Sequence, residues 1–441
     1  MLWLRAISRR ARALFLIRWI TLTLIGWLAY SLFRALWAVI ALGAPVYDWQ
    51  WYVPVILLLI GLPLYGAWRG PVRHAGRGPL LMFAMLFAFA LAGCNGFGQV
   101  ATLEPDLSTP VPISFWTFST FQQMPEAILH NLKTAGGYVY LTPGGETPFE
   151  GESGKALADG IRRLAEYNLE VYLMVPAADF LSVPVHEEWA ANARKAAEFV
   201  QQEKLANVRG LIGDAEAPLR SPPDFWGADE PGFNHTIETL RLTIDGIQRD
   251  YALPIGVTAT WQQYVDRLDG DDDLARLRRN PVDPPGGWAF VNLMVYSSYL
   301  PTSWRAYYVY LHERAMMRLY PMGGGSYLIG LIGEGMPGEP LIDFDTLVCD
   351  ARLSRALGAR EIVVFQLDGA LWAEGEDFVR RFSEAVNSSL PDENVSVPFS
   401  RPASLVFYTV VLADAMLDVR QQWIGWVVLS GLLALRSVRV I

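Results

Sequence analysis

Val208-Arg-Gly-Leu-Ile-Gly-Asp-Ala-Glu-Ala-Pro218 reads as a short buried strand that runs out into two carboxylates, Asp214 and Glu216. Side chains alternate along a strand, so residues two apart share a face. Both acids therefore point the same way at the strand's C-terminal end, and Pro218 stops the pairing beyond them. A carboxylate pair suits acid–base chemistry when one member is held protonated and the other stays ionised. The alternative is a solvated loop carrying two charges, so the reading turns on what surrounds the strand.

Seven similar apolar, β-rich runs accompany it, at 113–118, 137–142, 169–175, 254–260, 289–296, 326–332 and 361–366. Helical patterns separate them, near 122–134, 153–167, 186–204, 233–250, 303–319, 343–357 and 375–387, with a shorter charged piece at 271–279. Eight strands alternating with eight helical units predict a (β/α)8 barrel over residues 113–387. Near-continuous apolar strands are what a parallel sheet covered on both faces requires. A doubly wound open sheet is the competing arrangement, but no Gly-x-Gly-x-x-Gly follows the first strand.

In such a barrel the reactive groups lie where strands end and βα loops begin. The first strand offers Trp116 there and the fourth Asp214 and Glu216. The fifth ends at Trp261, the sixth at Tyr296-Ser-Ser-Tyr299, the seventh at Glu334, and the eighth leads to Asp368 and Trp372. Aromatic faces around carboxylates are a sugar-binding composition, because rings stack on pyranose C–H faces while acids bond to hydroxyls. For any one of these tryptophans ordinary packing is the simpler role; their recurrence at strand ends argues for a carbohydrate ligand.

The flanks differ sharply from the barrel. Residues 1–94 carry nine Arg against one acid, Asp48, and residues 401–441 carry four Arg against two Asp. The net charge of −9 therefore resolves into +8 and +2 at the ends and −19 over residues 95–400. A strongly acidic domain repels phosphate backbones, so the expectation is no nucleic-acid ligand. Hydrophobic residues make up 52% of the chain, and mean hydropathy is +0.21, with the excess at the two ends. Apolar stretches at 13–43, 51–68 and 79–94 approach the ~20 residues that cross a bilayer. The Arg-rich N-terminus and the Arg69–Arg77 loop should be cytoplasmic, which delivers residues 95–400 to the extracytoplasmic side of the cell membrane. Residues 95–112 then form a spacer and 388–402 a linker. Within 403–441, Ser404–Met416 reads as an interfacial helix and Trp423–Leu435 as a short return span, or the two form a surface hairpin.

The third apolar stretch ends Leu91-Ala-Gly-Cys94. This resembles a bacterial lipoprotein signal, which implies lipidation of Cys94. Its position behind two other spans departs from that pattern. Asn387-Ser-Ser and Asn394-Val-Ser match glycosylation sequons, which arise often by chance.

The strand-end residues resemble (β/α)8 glycoside hydrolases in two competing ways. In the chitinase-like family 18, the fourth strand reads Asp-Gly-x-Asp-x-Asp-x-Glu. Arg209-Gly-Leu-Ile212-Gly-Asp214-Ala-Glu216 aligns with it without gaps. That resemblance puts Glu216 on the general acid and Asp214 on the group that positions the substrate amide. Arg209 and Ile212 stand where the first two Asp would be. Met294-Val-Tyr296-Ser297 keeps the Tyr of the sixth-strand motif and replaces its Asp by Ser297. Trp372 falls near the Trp that floors the sugar site. The other resemblance is to the retaining clan with Glu on strands four and seven. There Glu216 donates the proton and Glu334, in Ile332-Gly-Glu334-Gly, attacks the anomeric carbon, with the carboxyls about 5–5.5 Å apart.

Other chemistries lack their residues. Glu152-Ser-Gly-Lys155-Ala has no final Ser/Thr of a phosphate loop, and no Gly-x-Ser-x-Gly elbow exists. Two cysteines make no disulfide framework, and five scattered histidines show no His-x-x-x-His or His-x-His pair. The expectation is therefore no metal and no cofactor, with His186 read as part of a solvated helix start. The function expected is a membrane-anchored hydrolase of polysaccharide or envelope glycan. A catalytically inactive barrel that binds glycan or scaffolds an envelope complex is the alternative. A transporter would need more spans and polar groups within them.

Overall fold

The computed structural model describes residues 99–103, 110–119, 121–145, 147–177, 185–215, 230–260, 275–276, 287–319, 325–330, 341–388, 395–398 and 400. The chain divides into two units, Met1–Gly98 with Leu405–Ile441, and Gln99–Ser404; every described residue belongs to the second. The three expected N-terminal spans, Cys94 and the C-terminal segment thus lie outside the described residues. Among the described residues no helix is long and apolar enough to cross a membrane.

The apolar runs become strands because each has helices to bury it. After β1 (Gln99–Leu103), the barrel strands are β2 (Ile113–Thr117), β3 (Gly136–Leu141), β4 (Val171–Met174), β5 (Val208–Ala215), β6 (Ile255–Thr260), β7 (Val291–Met294), β8 (Gly325–Gly330) and β9 (Ile362–Phe365). β2 to β9 pair in sequence order into a closed barrel, sealed where Ile113 lies beside Ile362 and Phe115 beside Val364. All eight pairings are parallel. The crossovers are α1 (Glu126–Ala135), α2 (Gly151–Glu166), α3 (His186–Gln202), α4 (Glu230–Tyr251), α5 (Thr302–Leu319) and α6 (Phe344–Ala356), with α7 (Leu367–Glu374) and α8 (Phe378–Asn387) after the last strand. Between β6 and β7 the helical pair Ala275–Arg276 and residues 287–290 are described. The helical pair packs on α4, with the Arg276 guanidinium 4.7 Å from the Phe233 ring.

The core has two layers. Outside the barrel, strand residues such as Phe115 meet helix residues such as Phe378, whose rings lie 6.2 Å apart. Inside it, Trp116, Tyr140, Ile212, Met294 and Val363 form a buried cluster. A run of rings fills the interior: Trp116 on Tyr140 at 5.7 Å, Tyr140 on Tyr172 at 5.3 Å, and Tyr172 against Phe290 at 4.7 Å. Gly256 leaves room for this filling, since a Cβ there would lie 2.2 Å from the Phe290 ring. The floor is polar: Glu361 accepts hydrogen bonds from Ser114 and from the Tyr140 hydroxyl, the latter at 3.2 Å. Burial and then the Glu361 charge push the Tyr140 phenol well above its ordinary range. Tyr172 is pushed up to about 12, chiefly by burial.

The spacer and the linker each contribute a strand. β1 pairs antiparallel with β10 (Val395–Pro398), from Gln99 opposite Pro398 to Leu103 opposite Val395. The Asn387 side chain adds a second tie. Its Oδ1 accepts from the Val111 N–H at 2.9 Å, and its Nδ2 donates to the Val111 carbonyl at 3.1 Å. This sequon nitrogen is therefore engaged in joining the end of α8 to the lead-in of β2.

Candidate functional site at the barrel mouth

Two glycines on β5 show which way its side chains point. A Cβ at Gly210 would meet the Tyr172 ring inside the barrel, whereas one at Gly213 would meet Trp189 of α3 outside. Even positions therefore face inward. Ile212 is fully buried in the interior cluster, and Asp214, half-buried, sits one step above it at the mouth. Ile212 shows what its alignment with an Asp means here: the position faces the interior but presents an alkyl group. Arg209 points out and pairs with Glu170.

The neighbouring strands continue this inner wall. Thr258 lies beside Asp214, and Asn292 beside Thr258. Above Met294 stands Tyr296, half-buried, its ring 5.9 Å from Phe365. Phe365 also meets Trp116 at 6.1 Å and Phe118 at 6.1 Å. The mouth thus holds a carboxylate bordered by a hydroxyl, a thioether and a continuous band of rings. Phe118, just past β2, is 46% exposed, and Trp372, on α7 after the last barrel strand, is 72% exposed. These two rings are open to a ligand from solution.

The other expected residues fare differently. Trp116 does end the first strand, but it is 2% exposed. One face lies on Tyr140, and its Nε1 donates to Thr142 Oγ1 at 2.7 Å. It lines the interior and does not form an exposed platform. Asp368 accepts from Thr117 Oγ1 at 2.9 Å, from the Phe118 N–H at 2.8 Å and from Ser119 Oγ. Its carboxylate holds the first βα loop in place, and so positions Phe118. Tyr299 lies in a single helical turn, Ser297–Tyr299. Glu216, Trp261 and Glu334 lie outside the described residues.

Two clusters went unread in the sequence. Ser297, which stands where the family 18 motif has Asp, donates its hydroxyl to Asp350 of α6, away from the interior. Burial raises the Asp350 carboxyl to about 6, although the Ser297 bond and the Arg305 charge pull the other way. Next to it, Ser354 donates to Glu313 of α5, whose carboxyl burial pushes well above the usual range. The other cluster is a group of potential metal ligands, His186, Glu187 and His235, on the helix layer beside β4 and β5. Neither cluster is local in sequence, so no motif announces it.

No family model matches the sequence, and no curated protein does. Similar solved structures include the PgaB (BpsB) glycoside hydrolase domain from Bordetella bronchiseptica, with TM-score 0.42 and 11% identity, covering 64% of this chain and 100% of that one. A family 18 chitinase from Pseudoalteromonas aurantia gives TM-score 0.42 and 11% identity over 62% of this chain and 99% of that one. Malate synthase from Haloferax volcanii gives TM-score 0.36 and 10% identity over 64% and 70%. Glycoside hydrolases thus stand among the similar structures beside an enzyme of other chemistry. The strand pairing itself establishes the barrel, and activity has to be argued from the site.

Proposed function

We propose that this chain is a membrane-anchored, extracytoplasmic glycoside hydrolase acting on a polysaccharide or envelope glycan. The observation that carries the reading is Asp214 facing the barrel mouth among rings, and Glu216 follows it two positions further on in the sequence. In this reading Glu216 donates a proton to the glycosidic oxygen. Asp214 positions the substrate and holds negative charge beside the acid, which favours its protonated form. Tyr296 borders the reacting sugar, and Phe118 and Trp372 stack on sugar faces at the rim. Glu334 supplies the nucleophile, or the substrate's own amide does. Anchoring is supported by the β1–β10 pairing, which makes the two ends of the barrel unit neighbours, as attachment of both flanks to one bilayer requires.

One observation favours the second reading, an inactive barrel that binds glycan. Ile212 and Ser297 occupy positions where the family 18 motifs carry Asp, and Ser297 is turned toward Asp350. Substitution separates the readings. Glu216→Gln should cut hydrolysis of a natural glycan by about two to four orders of magnitude and leave binding intact. Glu334→Gln should be as damaging if Glu334 attacks, and mild if the substrate amide does. Wild-type chain that binds glycan and turns over none, with both variants binding equally, would sink the hydrolase and leave the binder.

A further inference from the structure

His186 is the first residue of α3 and Glu187 the second, while His235 lies on the second turn of α4. Packing of α3 along α4, fixed in part by Arg194 donating to Thr243 Oγ1 at 3.0 Å, brings the three side chains together. One ligand atom from each lies within 4.8 Å of the other two. His235 Nε2 is 3.6 Å from Glu187 Oε1. Two ligands bound tetrahedrally at ~2.05 Å from one zinc ion lie ~3.3 Å apart, so this pair is already close to the spacing of a shared metal. His186 is 8% exposed, whereas His235 and Glu187 have side chains 63% and 77% exposed. The two exposed side chains have the rotamer freedom to close the remaining distance.

A second feature concerns the tautomer of His186. The Thr236 hydroxyl donates to the Gly232 carbonyl at 2.9 Å, which leaves its oxygen as the acceptor for His186 Nδ1 at 3.2 Å. The ring proton is therefore on Nδ1 and the coordinating lone pair on Nε2. Metal-bound histidines are oriented in this way, by a hydrogen bond from the other ring nitrogen.

We propose that His186, Glu187 and His235 form a binding site for a borderline divalent cation of the Zn2+ class, with Thr236 as the positioning residue. Imidazole and carboxylate donors suit such an ion and not Mg2+ or Ca2+, which take oxygen ligands. Three protein ligands leave a coordination position for water. The acidic barrel unit attracts cations, and the positive end of each helix dipole opposes one by about two- to five-fold in affinity per unit charge. The site would clamp α3 to α4 near the N-terminal ends of both helices. The inference does not depend on the hydrolase reading, because metal binding is measured without a glycan.

The test is calorimetric titration of chelator-treated full-length chain with Zn2+ alone. Saturable binding of one ion per chain is expected, together with a rise in the thermal unfolding midpoint. His235→Ala and Glu187→Gln, both at exposed positions that tolerate change, should each weaken binding at least ten-fold. Thr236→Val should weaken it about 10–100-fold while leaving the ligands in place. Ca2+ and Mg2+ should give no saturation. Absence of a saturable Zn2+ isotherm, or equal binding by wild type and the exposed-ligand variants, would overturn the site.

Discussion

At the scale of single residues, Asp350 shows how burial governs a carboxylate in the helix layer. It is 4% exposed between α5 and α6, faced by the Ser297 hydroxyl, by Arg305 and, through Ser354, by Glu313. Burial lifts its pKa from 3.8 to about 6, so the folded state favours the protonated acid. Its contribution to stability is thus fully present below pH ~4 and is lost as pH rises through about 6. Asp350→Asn removes that titration. Chemical unfolding at several pH values should show the variant gaining about 3 kcal/mol on wild type between pH ~4 and ~7. A difference that stays flat with pH would mean that Asp350 ionises as easily folded as unfolded. The legible part of the site belongs to this scale as well. The i, i+2 spacing put Asp214 and Glu216 on one strand face; Asp214 follows the inward-facing Ile212 on that face, and Glu216 lies outside the described residues. Spacing carries no information on what covers a side chain, so Trp116 was read as a rim residue although Tyr140 and Thr142 enclose it. Asp368 was read as a ligand for sugar, yet its partners are three groups of the first βα loop.

At the scale of elements, the eight apolar runs all became strands, because a barrel strand is buried on both faces and betrays itself by local composition alone. Seven of the helical patterns held likewise; of 271–279 only Ala275–Arg276 is described. The last one, 375–387, is preceded by the separate helix α7, which begins straight after β9 and carries Trp372. β1 and β10 escaped notice for a different reason. They are five and four residues long, and they pair only with each other across nearly the whole barrel. Such a pairing is fixed by the closure of the domain and not by local pattern. Closure also explains why glycine is demanded where strands come closest. A Cβ at Gly330 on β8 would lie 2.0 Å from the Phe365 carbonyl oxygen on β9. The obstacle is backbone, so no side chain is able to yield. Gly330→Ala should therefore push β8 from β9 and cost about 1–3 kcal/mol or more. Denaturant unfolding monitored by tryptophan fluorescence measures it, and an unchanged midpoint would show that the strands have slack at this point.

At the scale of the whole molecule, the separation of charge is the feature that organises the chain. A unit of net charge −19 lies between arginine-bearing apolar ends, and its own ends are held side by side by β1 and β10. The arrangement fits a domain displayed from a membrane by both flanks, with the basic segments retained on the cytoplasmic side. Cys349 allows this topology to be tested. It lies exposed on α6, and Cys94 is the other cysteine of the chain. In a Cys94→Ser chain it is therefore the one thiol available for labelling. Partial burial and the neighbouring Asp350 charge raise its pKa, so labelling will be slow at neutral pH and faster in mildly alkaline buffer. A membrane-impermeant maleimide added to intact cells should modify Cys349 to the same extent as in lysed cells. Protection in intact cells that disappears on lysis would put the barrel on the cytoplasmic side. It would then remove the extracytoplasmic glycan as substrate, while the barrel and its metal-ligand cluster would stand unchanged.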